Sequence, residues 1–277
     1  MALFMRFPGG RAKALTLSYD DNVKQDFRMM EILDRHGLKC TFNINTGCFA
    51  QVSQPTRGRM TEAEAISLYK DSPHEIAVHT LTHPHLAELP DNAVAYEVMA
   101  DIRNVERLFG RITRGMAYPC GSYNDNVVEV LRRCGIVYAR TVISTERFDI
   151  PRDWLRLPTT CHHDNPRLNE LADKFLAGNP PASPWLFYLW GHSYEFDNHN
   201  NWAVIEQFSE KMGGNPDIWY ATNIEIYDYV HAYKQLIFSS DMHMVYNPTA
   251  TELFFLLDKK VYSVKPGEKL VLADAAD

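Results

Sequence analysis

Two adjacent acids, Asp20 and Asp21, close the run Ala14-Leu15-Thr16-Leu17-Ser18-Tyr19, and a later run ends in His79-Thr80-Leu81-Thr82-His83. Two neutral imidazoles and one carboxylate leave positions open on a divalent ion, which is the ligand set of a catalytic rather than a structural zinc site. A second carboxylate beside the ligand can act as base. We assign Asp21, His79 and His83 to the metal and Asp20 to the base, because successive side chains leaving a strand point to different faces. Eleven histidines make a four-residue spacing weak support by itself. The weight comes from where these residues fall in the fold.

Short apolar runs alternate with stretches of helical period, the pattern of repeated βα units around a mainly parallel sheet. Strands are expected at Ala14–Tyr19, Cys40–Asn45, Glu75–Val78, Gly115–Tyr118, Ile136–Ala139, Trp185–Leu189 and Ile218–Ala221. Helices are expected at Lys24–His36, Thr61–Lys70, Asp91–Phe109, Asn124–Cys134, Arg167–Ala177, Asn201–Met212 and Asn223–Leu236. Thr61 with Glu64 and Thr222 with Glu225 read as capping boxes, each pair satisfying otherwise unpaired backbone N–H groups. From Ser239 the pattern shortens into turns and β segments. This predicts a barrel-sized domain over 1–238 and a small β extension over 239–277 packed on it. Two long connections, Gly47–Met60 and Arg140–Pro166, interrupt the pattern.

Sites in parallel barrels form at the C-terminal ends of strands, where loops distant in sequence meet. Asp20-Asp21, His79, Tyr118-Pro119-Cys120-Gly121 and Gly191-His192 all fall at such ends. Trp190, Tyr194 and Tyr123 are candidates for stacking on sugar faces, and His162 and His163 lie in a connection able to fold over the mouth.

Composition narrows the partners. Apolar residues make up 45% and charged residues 23%, so a folded chain is expected. The formal charge is −7, with 28 basic and 35 acidic residues, and no basic stripe, which argues against nucleic acid and anionic membranes. Neither an apolar run of membrane length nor a signal-peptide core is seen, so a cytoplasmic location is expected. The 5 cysteines form no C-x-x-C pair and suggest neither disulfides nor a thiolate zinc site.

Over about residues 13–235 the chain resembles the polysaccharide deacetylases, the NodB-homology carbohydrate esterases. The resemblance implies an α/β fold, a distorted (β/α)7-type barrel with a small C-terminal β extension here. Ser18-Tyr19-Asp20-Asp21-Asn22 aligns with the family's T-F-D-D-G, which supplies base and then ligand. His79-Thr80-Leu81-Thr82-His83 matches H-[S/T]-x-x-H in full. Ala117-Tyr118-Pro119-Cys120-Gly121 aligns with R-P-P-Y-G, a groove-lining motif, with its Arg replaced by Ala117. Asp149-Ile150-Pro151-Arg152-Asp153-Trp154 only approximates D-x-x-D-W. Leu189-Trp190-Gly191-His192 aligns with L-x-H with one residue inserted, and Ser193 stands where an Asp usually follows.

The resemblance implies a hydrolase that removes N-acetyl or O-acetyl groups from a sugar or oligosaccharide, with zinc as the expected ion. Asp20 is then the base, the Cys120 N–H an oxyanion donor, Tyr118 and Trp190 part of the groove, and His192 the general acid. Other readings of the same ligands are hydrolysis of a cyclic imide or ureide, and a decayed glycan-binding protein. A non-haem iron oxygenase is disfavoured by the βα pattern.

Overall fold

The computed structural model describes residues 2–51 and 58–272. Its strands are β1 (Leu3–Arg6), β2 (Lys13–Asp20), β3 (Cys40–Ile44), β4 (Glu75–Val78), β5 (Gly115–Ala117), β6 (Tyr138–Ser144), β7 (Leu157–Thr159), β8 (Cys161–His162), β9 (Trp185–Gly191), β10 (Ile218–Tyr220), β11 (Ile237–Phe238), β12 (Met244–Tyr246), β13 (Leu253–Leu257), β14 (Lys260–Val264) and β15 (Lys269–Val271). Its helices are α1 (Asp26–Arg35), α2 (Glu62–Tyr69), α3 (Asp91–Phe109), α4 (Asp125–Arg133), α5 (Leu168–Ala177), α6 (Tyr194–Asn198), α7 (Ala203–Met212) and α8 (Asn223–Tyr233). None of these helices is long and apolar enough to cross a membrane. Within the Gly47–Met60 connection, residues 52–57 lie outside the described residues.

The central sheet is parallel and runs β7-β6-β5-β4-β3-β2-β9-β8. Its two ends belong to one continuous segment. β7 pairs with β6, β8 pairs with β9, and the Thr160 N–H between them donates to Tyr188 O at 2.9 Å. The sheet therefore curls until residues 157–162 join its edges.

Two sequence expectations need correction here. The Arg140–Pro166 connection contains the last stave of the ring, hidden in the sequence by Pro158 and by polar residues that depress a strand signal. The strand expected at Ile218–Ala221 forms as β10, but it stands beside the main sheet path instead of within it. β10 pairs only with Lys13 to Leu15, on the stretch of β2 that β3 leaves bare by starting opposite Leu17.

The alternation of side chains along each strand decides what reaches the interior. On β2, Leu15, Leu17 and Tyr19 pack with helix residues such as Met29 and Leu33. Thr16 and Ser18 face inward to Asn223 and Asn43, and Asp20 follows on the same face. On β9, Phe187 and Leu189 join the helix-side core, while Tyr188 and Trp190 turn inward. Both faces are covered, so β2 is buried at every position.

Both capping boxes form, on α2 and α8. The start of α8 closes the end of the ring away from Asp20: Ile224 N–H donates to Glu75 Oε2 at 2.9 Å, and Asn223 Nδ2 donates to the Tyr188 hydroxyl at 2.6 Å. Gly115 leaves room for a large neighbour. A Cβ there would lie 2.0 Å from the Tyr138 ring, whose hydroxyl donates to Glu75 Oε1 at 2.6 Å. Gly115→Ala is expected to destabilise by about 1–3 kcal/mol through overpacking. Denaturant unfolding should show a lower midpoint with an unchanged slope.

Beyond residue 236 the chain forms short antiparallel sheets. β13 and β14 pair with each other and recruit β1 from the N-terminal segment, and β11, β12 and β15 form a separate sheet.

Candidate active site

Asp20 ends β2 inside the ring, 2% exposed. The chain then turns sharply, with Asp21 at φ 87° and Asn22 at φ 44°, left-handed conformations that cost about 1–3 kcal/mol each and persist only when braced. The braces are visible. Asp21 N–H donates to Asn43 O at 3.0 Å, Met60 N–H to Asn22 O at 3.0 Å, and Arg59 Nη1 to Asp21 O at 2.8 Å. This turn separates the two acids: Asp20 faces the ring interior, and Asp21 faces His83, with Oδ1 3.7 Å from its Nε2.

Asp21, His79 and His83 each offer one ligand atom, all within 4.8 Å of one another. His79 is buried beside the strand end, and its Nδ1 lies 2.8 Å from Ala117 O. A carbonyl can only accept, so Nδ1 carries the proton and Nε2 keeps its lone pair for a metal. Burial lowers the His79 pKa to about 4, so the ring is neutral at physiological pH. Two neutral imidazoles and a carboxylate fit a divalent ion of the zinc type. Behind them, Asp101 accepts from His79 N–H at 3.1 Å and Thr46 N–H at 2.9 Å, tying the ends of β3 and β4 together.

The arginine absent at Ala117 is present one strand away. Arg140 on β6 is the register partner of Ala117 on β5, fully buried, with Nη2 donating to Asp20 Oδ2. Its guanidinium lies over the Trp190 ring, 4.4 Å from the centroid, and Asn43 Nδ2 donates to Asp20 Oδ1 at 2.9 Å. Burial pushes the Asp20 carboxyl up, but Arg140, followed by His79 and His192, outweighs it and holds the pKa below the ordinary 3.8. Asp20 is therefore ionised at neutral pH. The signal was parity: Tyr138 points inward, so Arg140 does too, one residue past the expected end of that strand.

His192 brings its Nε2 to 3.9 Å from Asp20 Oδ2, and His79 Nε2 stands 3.8 Å from the same oxygen. Ser193 does not support the ring; its hydroxyl donates to the buried Asp26 at 2.5 Å. Glu195 is the acid beside it. Its Oε2 accepts from His192 N–H at 3.0 Å and lies 3.2 Å from His192 Nδ1, close enough for ion pairing though not aligned as a hydrogen bond. Burial lowers the His192 pKa, but Glu195 and then Asp20 outweigh it and raise it above the ordinary 6.5. Sequence reading missed Glu195, whose only cue was its three-residue spacing from His192.

Other expected residues lie elsewhere or do other work. The Tyr118 ring is 1% exposed and its hydroxyl donates to Leu155 O at 2.8 Å, so it packs instead of lining an open groove. Trp190 is 8% exposed and supports Arg140, leaving little ring for a sugar. Cys120 is exposed at the rim at φ 53°. Burial and then Asp21 raise its thiol pKa, which suits a backbone role better than a thiolate one. His162 Nε2 lies 3.2 Å from Glu195 Oε2. Asp153 caps a short turn through Leu155 N–H at 3.1 Å, and Trp154 packs in the core.

A family model described as polysaccharide deacetylase matches residues 8–139. A chitooligosaccharide deacetylase of Sinorhizobium fredii is 25% identical over 183 residues, covering 65% of this chain and 74% of that protein. Among solved structures, one from Mycobacterium smegmatis assigned to the polysaccharide deacetylases has a TM-score of 0.57 at 16% identity, covering 84% of this chain and 95% of that one. A family 4 carbohydrate esterase from Streptomyces lividans has a TM-score of 0.51 at 15% identity, covering 76% and 93%. At these identities the structures establish a shared fold.

A curled parallel sheet with an Asp-Asp strand end facing an H-x-x-x-H strand end is the arrangement expected from the resemblance to the NodB-homology proteins. The match over residues 8–139 and the chitooligosaccharide deacetylase relative support a divergent relative of the polysaccharide deacetylases. The matched region stops at Ala139, one residue short of Arg140.

Proposed function

We propose that the chain is a metal-dependent hydrolase that removes acetyl groups, N-linked in the first instance, from a small carbohydrate. One observation carries this: Asp20 Oδ2 lies 3.8 Å from a ring nitrogen of the metal triad and 3.9 Å from His192. A base placed between an activating ion and a general acid is what amide hydrolysis needs.

Asp21, His79 and His83 would hold the ion, which supplies Lewis acidity toward a carbonyl and toward water when bound. Asp20, ionised beside Arg140, takes the proton from the attacking water. The Cys120 N–H donates to the oxygen that becomes negative. His192, kept protonated by Glu195, gives its proton to the leaving amine. Acetate and a free amino sugar are the products.

Burial of Tyr118 and Trp190 favours a second reading, in which the substrate is a small amide such as a cyclic imide or ureide that needs no sugar platform. A panel of N- and O-acetylated sugars beside small cyclic amides tests both. Zinc-loaded protein is expected to release acetate from the acetylated sugars, and His79→Ala to release none above background. Turnover of the cyclic amides alone would favour the second reading, and equal acetate release by parent and variant would refute the site.

A further inference from the structure

A second group of metal-type donors lies across the His192 ring from Asp20. His192 presents Nε2 to Asp20 and Nδ1 to Glu195. Around Glu195 Oε2 stand His162 Nε2 at 3.2 Å and His163 Nε2 at 3.4 Å, and the three ligand atoms all lie within 4.8 Å of one another. With bonds of about 2.0–2.2 Å, adjacent ligand atoms of a tetrahedral zinc ion stand about 3.4 Å apart. The two distances to Glu195 match that edge.

His163 supplies an independent observation. Its side chain is fully buried, yet Nε2 has no hydrogen-bond partner among the described residues. A buried polar atom left this way calls for an occupant. The ring is also fixed in place: it stacks between Tyr19 at 5.8 Å and Phe196 at 4.2 Å. Gly191 lies against it so closely that a Cβ there would meet Nδ1 at 2.0 Å. Nδ1 faces the Tyr19 hydroxyl at 3.3 Å, which can accept its proton and leave Nε2 a lone pair. Burial lowers the His163 pKa to about 3, so the ring is neutral, as a ligand must be.

We propose that His162, His163 and Glu195 form a second divalent-cation site, chemically suited to zinc and separate from the Asp21, His79 and His83 site. Asp164 Oδ1, 3.4 Å from His163 Nε2, adds negative charge beside it. Binding trades away one contact: Asp164 N–H donates to His162 Nδ1 at 3.2 Å, and coordination through Nε2 puts a proton on Nδ1. One long hydrogen bond is thus exchanged for two metal–nitrogen bonds and one metal–oxygen bond. Without a cation, the same residues are only close polar neighbours around Glu195, and the experiment separates the two cases.

Tag-free protein stripped with chelator is dialysed to equilibrium against zinc, and bound zinc is counted per chain in the parent, His162→Gln, Glu195→Gln and His79→Gln. Thermal melts confirm that each variant is folded, and the partly exposed His162 avoids disturbing the core. The expected counts are two in the parent and one in each variant. Equal counts in the parent and both cluster variants overturn the second site. The first site fails separately, by a His79→Gln count equal to that of the parent.

Discussion

Replacing Arg140 with methionine is expected to destabilise the protein by about 3–5 kcal/mol, the usual cost of breaking a buried ion pair by removing one partner. Arg140 is fully buried and Asp20 is 2% exposed, so water cannot take over the lost contact. With Arg140 gone, burial is the dominant influence left on Asp20, and its pKa rises instead of falling. The sign of the pH dependence follows. In the parent, the lowered Asp20 pKa contributes stability that is present above about 3.8, the unfolded value, and is lost as pH falls through the folded value. In Arg140→Met the folded pKa lies above the unfolded one, so protonation favours the folded state and the deficit against the parent shrinks on acidification. Acetate release should also fall by about 10²-fold or more at neutral pH, with its acid limb moved to higher pH. Urea unfolding at several pH values checks the first point and a rate profile the second. Parent-like stability at neutral pH together with an unmoved acid limb would rule out Arg140 as the partner of Asp20.

Arg140 also shows what a sequence can and cannot disclose about this site. Asp20, Asp21, His79 and His83 were legible because each close pair lies within one strand end, and parallel strands carry such ends to a common rim. Arg140 was not. Motif alignment asks what stands at position 117, whereas the ring interior asks only that a guanidinium reach Asp20, and the register partner one strand over does so equally well. Glu195 follows the same logic, supporting His192 from a short helix after Ser193 has turned to Asp26. The stave at residues 157–162 escaped because Pro158, His162 and two threonines between them do not read as a strand. Its pairing comes from curvature that no local window contains. Aromatic residues misled in the other direction: Tyr118 and Trp190 carry the types that meet sugars, but Tyr118 packs on the helix side of the sheet and Trp190 turns inward onto Arg140.

Asp20→Asn is expected to lower kcat for acetate release by about 10²–10⁴-fold, the range for loss of a positioned general base. The substitution keeps the shape and leaves Asp21, His79 and His83 in place, so bound zinc should be unchanged. That equality separates a lost base from a lost ion. Under the proposed mechanism, activity in the parent requires Asp20 ionised and His192 protonated. Asp20 is held below 3.8 and His192 above 6.5, so rates should climb at acidic pH, stay level through the interval, and decline on the alkaline side. Removing the Asp20 carboxylate removes the acidic limb altogether. It also removes one of the charges that raise His192, leaving Glu195, so the alkaline limb of any residual activity should shift to lower pH. Zinc counts and rate profiles on the same samples provide the check. A variant with parent-like rates would show that another group takes the proton. A variant that loses zinc along with activity would show that Asp20 is a ligand, and the division of labour between the two adjacent acids would then have to be redrawn.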